Sequence, residues 1–126
     1  MDDRRRLRFL RIALIASGLP MLALYPLMQV WPSGWAWHSG YSPYPLMIVG
    51  IYATLGVFLL LAARDPARHR SLIAFTVWSS VVHGAIMTVQ SFSAPEHRGH
   101  LLGDVPALFL IALVLGWLMP PAPKAA

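Results

Sequence analysis

Three residues of this chain combine a type and a spacing that can do chemistry: His83, His100 and Asp104. Two imidazoles and a carboxylate can ligate zinc, copper or iron, or they can form a metal-free Asp–His hydrogen-bonded pair. His97, His100 and Asp104 follow one another at steps of three and four, so on one helix they share a face. The order His-x-x-His-x-x-x-Asp is no established ligand signature. The chain has no cysteine, which excludes disulfides, thiolate metal sites and cysteine nucleophiles. His83 also belongs to a second pattern. Thr76, Ser80, His83, Met87 and Gln90 recur at steps of three and four and fall on one helical face, with Trp78 nearly opposite. Two readings fit His83: a ligand or proton-transfer imidazole aimed into a bundle, or a neutral ring hydrogen-bonded to a neighbouring helix as packing glue. Met87, one turn on, can serve as a soft copper ligand or as apolar filler.

The elements that must position these groups are four apolar runs. They cover 12–31, 45–63, 72–92 and 101–119. Each is close to ~20 residues, and at ~1.5 Å per residue it spans the ~30 Å of a bilayer's hydrocarbon. The chain is 57% hydrophobic and 12% charged, about half the ~25% charge of a soluble domain. A water-soluble protein of 126 residues could not hide so much apolar surface. In lipid every backbone N–H and C=O must be paired within the segment, so the runs are expected to be helices. Barrel strands would alternate in polarity, and these runs do not. The expected fold is all-α: an integral membrane four-helix bundle of antiparallel, up-down topology. A basic N-terminus (1–11) precedes the four-span domain (12–120), and a short tail (121–126) follows it.

Short polar breaks separate the runs at 32–44, 64–70 and 93–100, which favours antiparallel neighbours. Arg4, Arg5, Arg6, Arg8 and Arg11 precede the first run. Arg64, Arg68 and Arg70 fill the second break, Lys124 lies in the tail, and Arg98 alone lies in the third break. With four spans the first nine share one side, and the positive-inside rule makes that side cytoplasmic, with both termini inside. Lipid headgroups are the expected contacts of Arg4, Arg5, Arg6, Arg64, Arg68 and Arg70. Trp31, Trp35, Trp37, Tyr41 and Tyr44 surround the first break as an aromatic belt at the other interface. The net charge of +5 does not point to nucleic acid, because no basic face is interleaved with exposed aromatics. The first run is longer than a signal-peptide core of ~7–15 residues and no cleavage site follows it, so it is expected to be retained.

Local signals refine this frame. Pro20 and Pro26, with Tyr25 and Gln29, predict a bend in the first helix with some inward polarity. Ser93-Ala94-Pro95-Glu96 has the form of a capping box, with Ser93 as N-cap and Glu96 at N3; Pro106 would then free the carbonyl of Leu102 and bend the fourth helix. A rival reading starts that helix at Asp104, but it leaves a short span of ~24 Å, and the earlier start is preferred. Gly50, Gly56, Gly84 and Gly116 are read as close-packing positions. His38 is read as an interfacial side chain, His69 as a solvated or headgroup-contacting one, and Asp65-Pro66 as a stop to the second helix. No phosphate loop, nucleophile elbow, zincin motif or pair of embedded carboxylates occurs.

The runs WPSGWAWH, SPYPLMIVGIYATLGVFLLLAARDPARHRSLIAFTVWSSVVHGAIM and HRGHLLGDVPALFLIALVL resemble a group of small four-helix bacterial membrane proteins classed as a domain of unknown function. The resemblance covers about 12–120 and implies a bacterial inner membrane, with no substrate and no catalytic residues to carry over. Helix count gives a weaker likeness to DoxX-like membrane proteins. Three functions are open. The first is a non-enzymatic bundle or accessory subunit that binds a lipid or a membrane-protein partner, including a second copy, without a cofactor. The second is a metal- or haem-containing redox component using His83, His100 and Asp104; for haem, His83 alone sits at suitable depth. The third is a proton or ion path along the polar face of the third helix. Depth along the helices predicts that His83, His100 and Asp104 converge if the third and fourth helices pack as a hairpin.

Overall fold

The structure, a computed structural model, describes residues 1–37 and 42–125. Described residues form six α-helices and two 3-10 helices, with no strand among them. The α-helices are α1 (Asp3–Leu22), α2 (Leu24–Val30), α3 (Pro32–Trp35), α4 (Pro43–Ala62), α5 (Arg70–Ser93) and α6 (Asp104–Leu118). The 3-10 helices Pro66–His69 and Pro95–Leu102 lead into α5 and α6. Three helical stretches, Pro43–Ala62, Pro66–Ser93 and Pro95–Leu118, are long and apolar enough to cross a membrane, and α1 with α2 makes a fourth if that bent pair is one span.

Burial follows helical spacing. On α1, Leu10, Ala13, Leu14, Ser17, Gly18 and Met21 are buried on one face, while Phe9, Ile12, Ile15 and Leu19 on the other are exposed. On α5, Ile73, Thr76, Ser80, Gly84, Met87 and Ser91 face inward, and Phe75, Trp78, Val82, Ile86 and Val89 are exposed. Large side chains turned outward along whole helices suit a hydrocarbon surround and would be costly in water.

The helix axis turns by 60° at Ala23, between α1 and α2. Pro26 explains the position. It has no N–H to give the carbonyl of Leu22 four residues back, and its ring crowds that carbonyl. The bend predicted from Pro20 and Pro26 is therefore present. Tyr25 and Gln29 are exposed, so the inward polarity expected of them is absent: the turn carries them outward.

Packing is uneven around the bundle. Close approach pairs α1 with α4, α5 with α6 and α1 with α6, whereas α4 makes no comparable approach to α5 or α6. Glycine sets the α1–α4 crossing. A Cβ on Gly56 would lie 2.7 Å from the carbonyl oxygen of Gly18, and one on Gly18 would lie 2.9 Å from that of Gly56, so the backbones touch only because both are glycine. Gly84 takes the ring edge of Phe109 in the same manner, and Gly116 faces Val77. Gly50, expected to be a packing position, faces open space, because α4 has no close neighbour there.

The two ends of the bundle are tied differently. At one end Arg6 Nη2 donates to the Trp117 carbonyl (3.0 Å) and Arg70 Nε to that of Pro120 (2.8 Å). Both guanidinium groups satisfy carbonyls left over where α6 stops. Two of the arginines expected at headgroups thus hold α6, while Arg4, Arg5, Arg64 and Arg68 are exposed. At the other end α3 lies on the Pro95–Leu102 helix, with Gly34 against Gly103 and Ser33 against Gly99.

The fourth span begins otherwise than preferred. Ser93 Oγ donates back to the Val89 carbonyl (2.8 Å) and caps nothing. The segment after it is a 3-10 helix, and the α-helix proper starts at Asp104. A serine in the last turn of a helix can bond the carbonyl four residues back in its own helix, as Ser93 does. Pro106 consequently falls in the first turn of α6, where its missing N–H costs nothing and no bend results.

Candidate functional site

Where α4 stands away from α5 and α6, a cavity of about 710 Å³ opens inside the bundle. That volume suits a small-molecule pocket, for which the usual range is ~300–1,000 Å³. Most of its wall is apolar, from α1, α2, α4 and α6. The polar residues on the wall are Trp35, Trp37, Tyr52, His83, Gln90 and Asp104. His83 and Asp104 therefore share one cavity, and His100 lies directly behind Asp104.

Each group is fixed from another element. The Tyr52 hydroxyl, on α4, hydrogen-bonds His83 Nδ1, on α5. The hydroxyl makes no other hydrogen bond among the described residues, so donation to Nδ1 is the arrangement that satisfies its proton, and we assign the ring's hydrogen to Nε2 on that ground. His83 Nε2–H then has no partner among the described residues. Asp104 is held from two sides: Trp37 Nε1 donates to Oδ2 (2.8 Å), and His100 Nδ1 bonds Oδ1 (2.9 Å). His100 is 1% exposed. The Trp37 ring stacks on His100, with centroids 3.8 Å apart and planes at 22°, and lies 4.9 Å from the His97 ring. The carboxyl group is thus buried with a hydrogen-bond partner on each oxygen, as a buried polar group must be. Trp35 Nε1–H is buried with no hydrogen-bond partner among the described residues.

The polar face of α5 divides. Thr76 and Ser80 are buried toward the basic end of the bundle, with Thr76 Oγ1 donating to the Leu72 carbonyl. His83, Met87 and Gln90 line the cavity. Trp78 is 67% exposed on the opposite face, as its spacing requires. Among the described residues no group of three or more His, Cys, Asp and Glu side chains is arranged to hold a metal ion. His83 is engaged with Tyr52, and His100 with Asp104.

The aromatic belt around the first break is only partly present. Trp31 and Tyr44 are exposed, but Trp35 and Trp37 turn into the cavity wall. Tyr41 and His38 lie outside the described residues; His69 is exposed at the basic end. An indole N–H wants an acceptor, and Asp104, 67 residues on, supplies it. Tyr52 carried a signal that the expected site omits: a phenol inside an apolar span must find a partner for its hydroxyl.

The chain matches the model of a family of unknown function, DUF6632, over residues 5–123, and it belongs to that family. It is similar to ferric-chelate reductase 1 of Bos taurus, 37% identical over 81 residues. The similar stretch covers 62% of this chain and only 13% of the reductase. No solved structure matches.

Proposed function

Starting from membership of this family of unknown function, we propose that the chain is a four-span membrane protein whose bundle holds a lipophilic molecule, and that it acts by binding rather than by catalysis. The carrying observation is the cavity itself: an apolar chamber with Tyr52–His83 and Asp104 on its wall, beside the α4–α5 seam, where the two long helices do not pack closely. A molecule dissolved in the bilayer can enter sideways through such a seam without crossing water. In this reading α1 and α2 form one bent span, the helices run alternately up and down, and the basic end faces the cytoplasm, in a bacterial inner membrane. The ties from Arg6 and Arg70 to the end of α6 support that arrangement. Exposed Arg4, Arg5, Arg64 and Arg68 meet lipid headgroups there.

The test is chemical. The full chain, purified from its own membranes in mild detergent, is extracted with solvent and analysed by mass spectrometry. One lipophilic molecule per chain is expected, and it should be lost when Val49→Trp fills the cavity while helicity stays unchanged. A chain that carries nothing in stoichiometric amount, and a Val49→Trp variant indistinguishable from it, would remove the reading.

A second reading has its own support, the similarity to a ferric-chelate reductase. In it the chain is a redox component, with His83, His100 and Asp104 as candidate ligands. Stoichiometric metal or a visible absorption band in the purified protein would favour it, and a colourless, metal-free preparation that still complements a deletion strain would remove it.

A further inference from the structure

We infer that the molecule held in this cavity is a quinone, with a carbonyl oxygen on His83 Nε2–H and its hydrocarbon tail leaving through the α4–α5 seam. The inference rests on the binding function proposed above and names the class of ligand.

Three features of the wall select the class. The first is charge. Asp104 lines the cavity, and no arginine or lysine does. A fatty acid or phospholipid would place its anion beside a carboxylate where little water screens the repulsion, with no arginine or lysine on the wall to receive it. The headgroup is therefore not anionic. A cationic amine would be drawn to Asp104, but the hydrogen bonds that Trp37 and His100 make to its two oxygens already offset part of the carboxylate's charge. A neutral headgroup fits best.

The second feature is hydrogen-bonding sense. With Tyr52 donating to Nδ1, His83 Nε2–H has no partner among the described residues, and neither has the buried Trp35 Nε1–H. Both are donors, and they come from different elements. A ligand that satisfies them carries acceptors, as the two opposed carbonyls of a quinone do. Plain hydrocarbon would leave both unpaired. The third feature is shape. Trp35, Trp37 and Tyr52 give the polar part of the wall flat aromatic surfaces, against which a planar ring packs well. On the seam side the wall is apolar, with Ile48 and Val49 of α4 and Met87 of α5, and suits a flexible chain.

The experiment uses the full chain in mild detergent and a decyl-substituted benzoquinone as probe. Binding is read by equilibrium gel filtration, following quinone absorbance, with decanoic acid and decylamine as competitors. One saturable site is expected, which neither competitor empties at equal concentration. His83→Leu should weaken it about tenfold, the loss of one good hydrogen bond, and His83→Gln, which keeps a donor, should recover part of that. Unchanged affinity in His83→Leu would overturn the quinone assignment. So would displacement by decanoic acid or decylamine at equal concentration, which would leave the binding function standing with a different ligand. Failure of all three probes to saturate, in the native chain and in Val49→Trp alike, would remove both.

Discussion

Tyr52 and His83 are joined by a hydrogen bond across the α4–α5 seam, where the two helices make no close backbone approach. The bond is therefore a strut. It ties α4, whose close backbone approach is to α1, to the α5–α6 half of the bundle, beside the packing of the Tyr52 side chain against Met87, Val105 and Leu108.

A strut of this kind should be measurable as a coupling. Tyr52→Phe removes the hydroxyl and keeps the ring, and His83→Leu removes the imidazole. In a double-mutant cycle of thermal unfolding in one detergent, the two are expected to couple by about 1 kcal/mol, near the upper part of what side-chain bonds between membrane helices contribute. Strict additivity would mean that the bond does not join the halves.

Asp104 makes a different demand. Asp104→Leu strands the Trp37 indole N–H and His100 Nδ1 together, and each unsatisfied buried group costs about 1–3 kcal/mol. Asp104→Asn keeps an acceptor and should cost less. The loss should be local as well as global, because the carboxylate holds Trp37 and His100 of the Pro95–Leu102 helix together beside their stacking contact. Trypsin should cut after the exposed Arg98 several-fold faster in Asp104→Leu than in Asp104→Asn. Equal rates would show that the carboxylate is not what holds this end.

These residues also mark how far the sequence can be read. The apolar runs are plain because a bilayer allows little besides helix, and the burial of Thr76, Ser80 and Met87 follows from spacing alone. The bend is legible too, since Pro26 points to its position four residues back. The partners are not. Trp37 looks like an interface anchor until an acceptor 67 residues away is brought to it. Ser93 looks like a cap, but it ends its own helix, and its hydroxyl turns back to the Val89 carbonyl. Gly50 looks like a packing glycine, and whether a helix has a neighbour on a given face is a tertiary matter. The meeting of His83 and Asp104 was accessible from depth along the helices. The engagement of His83 with Tyr52 was not, because it depends on how α4 is rotated about its axis.

That rotation is held at the Gly18–Gly56 crossing. Gly56→Ala puts a methyl group 2.7 Å from the Gly18 carbonyl oxygen, so the helices must separate. A cost of about 1–3 kcal/mol is expected, as for other overpacked contacts. Gly50→Ala meets nothing within 4 Å and should be neutral or slightly stabilising, since alanine is the better helix former. The comparison is made by thermal unfolding in one detergent. Equal effects at the two positions would mean that α1 and α4 do not cross at glycine.

The chain lacks cysteine, so single substitutions allow clean labelling of its orientation. Arg4→Cys, Arg68→Cys, Arg98→Cys and Lys124→Cys all replace exposed side chains. A membrane-impermeant maleimide applied to intact cells should reach Arg98→Cys alone, and the other three only after the membrane is opened. The Arg4 position carries the most information. If α1 and α2 dipped into one face and returned, three spans would remain, and Arg4 would lie on the side of Arg98 while Arg68 and Lys124 stayed together. That arrangement would pull Arg6 away from the Trp117 carbonyl that it bonds at the other end of α6. Labelling of Arg4→Cys together with Arg98→Cys would therefore overturn both the four-span count and that bond. Labelling of Arg4→Cys with Arg68→Cys would fix the bent pair as one crossing.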